Sequence, residues 1–303
     1  MEIFSTGNEM KILVRAPNWL GDAVMARPAL NAIIKEVGNK NVSVVAKSSV
    51  ASAFADCEVF VMKNSWDIAS HRKKSFDSII LFTNSFSSAF LAWQSGIKNR
   101  IGYDNFAVHF LLTKRIARSK TFLHQIDEYL HLTESAGYRS KSIIPTLPFR
   151  KNNHIEEKYV VLAPGAKYGA AKRWNKFDKL AVELASKGKK VVVLGSAGEA
   201  ENIFERENIL NLAGETTLDI ALDIVAHAQI VISNDSGLAH ASSALGRRTI
   251  VIFGPTDPKR TLPRNAELIQ EKVECAPCGL RICPIDHRCM NSITVEEVLA
   301  RIG

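Results

Sequence analysis

Residues 233–240 read Ser-Asn-Asp-Ser-Gly-Leu-Ala-His and follow a short β-branched run, Ile230–Ile232. The run has the character of a fully buried parallel strand, and the residues behind it favour turns and helix N-caps. Leu238 to Leu245 then reads as a helix of small residues. A strand, a turn and a helix in that order aim several backbone N–H groups at one point, which the helix dipole makes attractive to a phosphate. Ser236 and Gly237 open that helix, Asp235 offers an acceptor to hydroxyl groups, and His240 offers a donor from the first turn. Those parts suit a sugar joined to a diphosphate. In isolation they fit an ordinary α/β crossover equally well, with Asn234 or Asp235 as a cap.

Other chemistry-bearing residues also stand behind apolar runs. Asp22 follows the first of them, just before a helix expected from Ala23, where a carboxylate can act as a general base or cap the helix. Residues 164–174 read Pro-Gly-Ala-Lys-Tyr-Gly-Ala-Ala-Lys-Arg-Trp. Gly165 lets the backbone approach a ligand, and Lys172 beside Arg173 can neutralise a diphosphate; a solvated charge pair is the plain alternative. Glu215, in a further turn, can accept from ribose hydroxyls or simply sit at a helix N-terminus. Gly254 and Pro255 shape a turn in which Thr256 lines the site.

Cys275, Cys278, Cys283 and Cys289 fall in a C-x2-C-x4-C-x5-C pattern, the remaining cysteine being Cys57. Four clustered thiols in a reducing compartment favour a closed, structural zinc or iron site, with His287 as a substitute ligand. Disulfides, redox pairs and free thiols are the other readings. Arg72, Lys73 and Lys74, with a second run over residues 114–120, are basic stretches that can meet an anionic acceptor or remain solvated faces.

The elements that must position these residues alternate β-α-β-α twice. In the first half, strands are expected at residues 11–15, 42–46, 59–62, 76–82 and 97–103, and helices at 23–37, 51–55, 87–93 and 124–137. A polar, proline-bearing linker ends near residue 158, and the pattern restarts with strands at 159–163, 190–194, 209–212, 230–232 and 249–253. Two α/β domains follow, 10–150 and 151–303, each with a Rossmann-like parallel sheet, with a cleft expected between the strands' carboxyl ends. The length of 303 residues also suits two domains.

Hydrophobic residues at 46% and charged residues at 23% describe a soluble globular protein. The net charge of +8 is uneven: residues 1–150 hold 19 Lys/Arg against 12 Asp/Glu, and residues 151–303 hold 20 against 19. The basic half predicts an anionic partner. Residues 1–9 are polar, without a signal pattern, and read as an extension or a mis-assigned start, so the cytoplasm is the expected location.

The motifs at residues 11–25, 164–174, 212–216 and 233–240, in this order, resemble the ADP-heptose:lipopolysaccharide heptosyltransferases of glycosyltransferase family 9, most of all their heptosyltransferase II branch. The resemblance implies a GT-B fold whose N-terminal domain takes an anionic lipopolysaccharide inner-core acceptor and whose C-terminal domain (Cys-rich at 275–289) takes ADP-heptose. It implies transfer with inversion, Asp22 as general base and Lys172 on the departing diphosphate. Glu215 would hold the ribose and Asp235 the heptose hydroxyls, with Ser236, Gly237 and His240 around the phosphates. No cofactor is then needed for catalysis, and the enzyme would touch the inner membrane peripherally from its cytoplasmic face. Lys167 departs from the expected pattern by being basic, and the cysteine cluster belongs to only part of the family.

Two other readings compete. One is a family 9 transferase with another nucleotide sugar or a protein acceptor, because the motifs read diphosphate and ribose better than the sugar. The other is a non-catalytic nucleic-acid binder with a four-cysteine ribbon. Few exposed aromatics are expected beside the basic runs, and the ribbon leaves Asp22 and Asp235 unexplained, so no nucleic acid is expected as a partner.

Overall fold

The computed structural model describes residues 10–62, 76–140, 142–148 and 150–303, and the chain divides into two compact units, Met1–Pro148 and Phe149–Gly303. Unit 1 runs β1 (Ile12–Arg15), α1 (Leu20–Met25), α2 (Arg27–Val37), β2 (Val42–Lys47), α3 (Ser48–Ala51), β3 (Glu58–Met62), β4 (Ser78–Leu81), α4 (Phe86–Gln94), β5 (Asn99–Tyr103), β6 (Lys114–Ile116) and α5 (Gln125–Ala136). Its six strands lie in the order β3-β2-β1-β4-β5-β6, every pair parallel. β1 is buried along its whole length, as an Ile-Leu-Val core strand covered on both faces must be.

Unit 2 repeats the plan. It comprises β7 (Tyr159–Ala163), α6 (Phe177–Ser186), β8 (Lys190–Val193), β9 (Ile209–Asn211), α7 (Leu218–His227), β10 (Ile230–Asn234), α8 (Gly237–Ala244), β11 (Arg248–Phe253), α9 (Pro258–Thr261), β12 (Glu267–Gln270), α10 (Arg288–Asn291) and α11 (Val295–Ile302). Its strand order, β12-β11-β10-β7-β8-β9, is also wholly parallel. Two parallel sheets with covering helices are the expected α/β class. In each unit the chain winds outward from the first strand, then returns to that strand's other side. The topological switch points therefore fall between β1 and β4 and between β7 and β10, where open α/β sheets bind ligands.

Some elements differ from the sequence reading. The single helix expected over 23–37 is two helices meeting at Ala26, because Pro28 has no N–H and its ring crowds the carbonyl one turn back. α1 begins at Leu20, so Asp22 lies inside the first turn rather than at a cap; Trp19 is the N-cap and caps through no side chain. The strand expected to end at Ile232 continues through Ser233 and Asn234, both fully buried. β6 and β12 were not expected. Both are short, charged edge strands, whose exposed flank hides the apolar alternation a central strand displays. No described helix is long and apolar enough to cross a membrane.

Candidate active site

At the switch point of unit 2, the loop after β7 faces the turn after β10. Lys172 closes a short 3-10 turn in that loop, and its ammonium forms an ion pair with Asp235 Oδ2. Thr256 Oγ1, behind β11, donates to the same carboxylate oxygen at 2.8 Å. Both charged side chains are nearly buried, 11% and 6% exposed, so the pair works in low dielectric, where each charge needs its partner. Lys172 also lies 4.6 Å above the ring of Tyr168, whose other cation neighbour is Arg281 at 5.3 Å.

Asn234 sets this geometry. Its Oδ1 accepts from the backbone of Trp174 at 3.1 Å and its Nδ2 donates to the carbonyl of Pro164 at 2.6 Å. The buried amide thus spans the base of the Lys172 loop, tying both of its ends to β10. Asp235 and Ser236 follow, and Ser236 caps α8 by accepting from the Ala239 N–H at 3.4 Å. The first turn of α8 carries the remaining N–H groups a helix leaves outside its own bonding, at the positive end of its dipole. Gly237 is the first residue of this helix and His240, 5% exposed, closes its first turn. Lys172, Asp235, Ser236, Gly237 and His240 are therefore gathered at one place.

Gly165 and Glu215 stand further along the same sheet edge. A Cβ on Gly165 would meet Glu199 Oε2 at 2.1 Å, so this glycine makes room for a carboxylate. Glu199 accepts from the Ser196 N–H at 2.7 Å and lies 3.5 Å from Arg173, pairing the second of the two adjacent cations. Nothing in the sequence spacing marked Glu199. Glu215 is exposed behind β9, two strands from β7, about 10 Å along the edge. Lys167 is exposed.

The Cys-rich segment grips the Lys172 loop. The Arg281 carbonyl accepts from Ala171 N at 3.1 Å and sits where a Cβ on Gly169 (φ +157) would clash, and His287 Nε2 meets the Ala171 carbonyl. His287 is thus occupied with backbone rather than with the thiols. Cys275 and Cys278 are exposed, Cys283 half-buried and Cys289 buried. Burial first, and then charge on the other three, raises the Cys289 thiol above its usual value. Among the described residues no three His, Cys, Asp or Glu side chains converge tightly enough to hold a metal ion. The donor set therefore has zinc or iron chemistry, but its sulfurs do not form a closed shell as they stand.

At the switch point of unit 1 stands Asp22, half-buried in the first turn of α1. The Tyr129 phenol, on the inward face of α5, stands within electrostatic reach of its carboxylate; burial first, then the charge on Asp22, holds the phenol well above its usual value. Arg15 ends β1 fully inside the protein and braces the next loop, donating to the Ala16 carbonyl and to Asn18 Oδ1 at 2.7 Å. Burial lowers its guanidinium to about 10. Tyr129 and Arg15 were not singled out in the sequence, since one reads as an amphipathic-helix core residue and the other as the end of a strand. Arg72, Lys73 and Lys74 lie outside the described residues.

Two parallel α/β units of this kind are the GT-B architecture. The chain is 26% identical to a solved structure of Escherichia coli ADP-heptose lipopolysaccharide heptosyltransferase II, with a TM-score of 0.82 and 97% of each chain covered. A glycosyltransferase of the family 9 type from Veillonella parvula shares the fold at a TM-score of 0.80, 18% identity and coverage of 98% of this chain and 97% of that one. Among curated proteins, lipooligosaccharide heptosyltransferase 2 of Campylobacter jejuni is 31% identical over 97% of this chain and 98% of its own length. Lipopolysaccharide heptosyltransferase 2 of Escherichia coli K12 is 27% identical over 84% and 85%. The profile of glycosyltransferase family 9 (heptosyltransferase) matches residues 69–288. This chain belongs to glycosyltransferase family 9, and it is an enzyme of glycosyl transfer.

Proposed function

We propose that the chain moves heptose, with inversion, from ADP-heptose to an anionic sugar of the lipopolysaccharide inner core. Unit 2 (151–303 in the sequence reading) takes the donor and unit 1 (10–150) the acceptor. The observation that carries the donor half is the Lys172–Asp235–Thr256 cluster beside the N-terminus of α8. A lysine ammonium has three donors, so Lys172 can keep Asp235 and still reach a phosphate oxygen. Asp235 then accepts from heptose hydroxyls, Ser236, Gly237 and His240 surround the phosphates, and Glu215 reaches the ribose from further along the edge. Gly165, whose missing side chain also makes room for Glu199, is proposed to let the backbone approach the donor.

In the transfer step Asp22 takes the proton from the acceptor hydroxyl as its oxygen attacks the anomeric carbon. The bond from that carbon to the diphosphate oxygen breaks, and ADP departs with its charge met by Lys172 and the positive end of α8. Tyr129 is proposed as a positioning residue: its neutral phenol can donate to the Asp22 carboxylate, which orients that group and favours its charged form. No metal or cofactor has a role in this chemistry. Arg72, Lys73 and Lys74 are proposed as acceptor contacts, and the location is cytoplasmic, peripheral to the inner membrane. The four cysteines are proposed to hold a structural zinc or iron once the exposed Cys275 and Cys278 turn towards Cys289. Metal analysis of reduced, unchelated protein tests this: about one metal per chain supports it, and none overturns it.

The deciding experiment is calorimetric titration with ADP-heptose, ADP-glucose, UDP-GlcNAc and GDP-mannose, repeated on Asp235→Ala. Preference for ADP-heptose that disappears in the variant supports the reading. Preference for another nucleotide sugar keeps the mechanism and replaces the substrate.

A further inference from the structure

Unit 1 exposes rings beside its basic runs, contrary to the expectation of few aromatics there. α4 buries Ala89, Leu91 and Ala92 against Ile97, Val108 and Leu112. Phe86, Phe90 and Trp93 fall at i, i+4 and i+7 and share the opposite stripe. Their rings contact in sequence, with centroids 5.8 Å and 5.7 Å apart, and Phe86 and Trp93 are 54% and 51% exposed. The segment between β5 and β6 packs alongside through Val108 and Leu112, and Asn105 Nδ2 donates to the Asn84 carbonyl at 3.4 Å. From this segment Phe106 and Phe110 stand out, 97% and 88% exposed. Contiguous rings left in water on this scale mark a contact surface.

The charge around the rings is one-sided. Residues 82–124 hold six Lys/Arg and a single acid, Asp104. Asp104 is engaged by His109 Nδ1 at 3.1 Å, and the other nitrogen of that imidazole meets Arg115. The same imidazole stands edge-on to the Phe110 ring at 5.4 Å, so a guanidinium lies close to an exposed phenylalanine. Lys98, Lys114 and Lys120 are exposed as well. Aromatic bodies with cations beside them match the boundary between acyl chains and anionic headgroups. Single-stranded nucleic acid fits less well. Bases need open ring faces, whereas Phe86 and Phe90 stack on each other, 16° from parallel.

We propose that the outer stripe of α4, with Phe106 and Phe110, seats unit 1 on an anionic lipid bilayer. The rings enter the headgroup boundary while Lys98, Lys114, Arg115 and Lys120 meet the phosphates. This deepens the proposed function by naming the surface on which a lipid-linked acceptor is met, and it is tested without donor or acceptor. The full chain is sedimented with vesicles of phosphatidylcholine alone and of phosphatidylcholine mixed with phosphatidylglycerol.

Binding to the mixed vesicles that weakens with salt is expected. Phe106→Ser with Phe110→Ser should lower the partition about tenfold or more, and Lys98→Glu with Lys120→Glu should remove the preference for anionic lipid. Unchanged ADP binding and circular dichroism show that these variants fold. In the unaltered protein, bromine-labelled acyl chains should quench Trp93, a quench absent from Trp93→Phe. Wild-type protein left in the supernatant with both vesicles overturns the proposal, as do ring variants that sediment like wild type. Ring variants that lose oligonucleotide binding but keep vesicle binding overturn it too. Transfer to a soluble, delipidated acceptor should survive the ring substitutions. If vesicles bind and no heptose moves, the transfer reading fails and the docking surface stands.

Discussion

The two switch points occupy the same place in the same topology and are furnished in opposite ways. In unit 1 the helix behind the first strand is six residues long and carries its own carboxylate, Asp22, in its first turn. In unit 2 the helix behind the returning strand is eight residues long, with no charged residue in its first turn and Ser236 as its cap. A carboxylate at the positive end of a short helix repels phosphate and attracts a hydroxyl proton; a helix end without an acid, beside a lysine, does the reverse. One sheet plan thus supports either half of a transfer reaction, and the choice rests on a few residues behind each switch point.

The sharpest way to break the contrast is Asp22→Ala. Transfer should fall by roughly 10²–10⁴ while ADP-heptose binding by calorimetry stays within error; equal loss of both would remove its role as base. Lys172→Ala comes next, expected to weaken ADP binding about 10–100-fold, because the variant also strips the nearly buried Asp235 carboxylate of its cation and leaves the Thr256 hydroxyl beside it. Unchanged ADP affinity would sink that assignment. Asn234→Ala tests whether the Lys172 loop is tethered. It leaves the Trp174 N–H and the Pro164 carbonyl without their buried partner, at a cost of about 2 kcal/mol, read as a lower urea midpoint at unchanged slope. A midpoint like that of wild type would mean that the loop is held by the Cys-rich segment alone.

Tyr129→Phe has the smallest expected effect, a loss of roughly threefold to tenfold in transfer. Its sign is diagnostic. The phenol stabilises the charged carboxylate, so its removal raises the Asp22 pKa and moves the acid limb of the pH–rate profile to higher pH. A profile that keeps its shape leaves Tyr129 as packing alone. Stability carries a linked signature. The phenol's pKa is raised in the folded protein, so the stabilisation is fully present below about pH 10 and is lost as pH climbs through the higher folded value. Tyr103, pushed up to about 12, acts in the same direction.

Much of this was legible in the sequence because local chemistry wrote it. β7 runs over the residues expected, since Tyr159–Ala163 is continuously apolar, with the polar run Glu156-Glu157-Lys158 before it and the turn formers Pro164-Gly165 behind it. α5 ends at Gly137 in the left-handed region, a stop readable from residue type, whereas its N-cap His124 is not of a usual capping type and its start was legible from apolar spacing instead. Asp235 and Ser236 were recognisable because a turn must follow a buried strand. What escaped depends on partners far along the chain. Glu199 matters through Gly165 and Arg173, and Tyr129 through Asp22; Thr256 was expected to line the site, but its partner Asp235 is fixed only by the pairing of β11 with β10. Periodicity reports which face of an element is buried, but not which distant side chain it meets there.

The hold of the C-terminal region on the Lys172 loop also bears on the life of the chain before it is complete. Trp174 Nε1 donates to the Ile293 carbonyl at 3.0 Å, Lys176 reaches the carbonyls of Asn291 and Ile293, each at 2.7 Å, and Arg281 braces Ala171 from the other side. A chain still being synthesised lacks every one of these supports until residues 281–293 have emerged. The Lys172 loop is then without its clamp, and a nascent product that stops short of these residues cannot present Lys172 as the folded unit does. In the order of synthesis, the loop proposed to meet the donor comes well before the residues that clamp it.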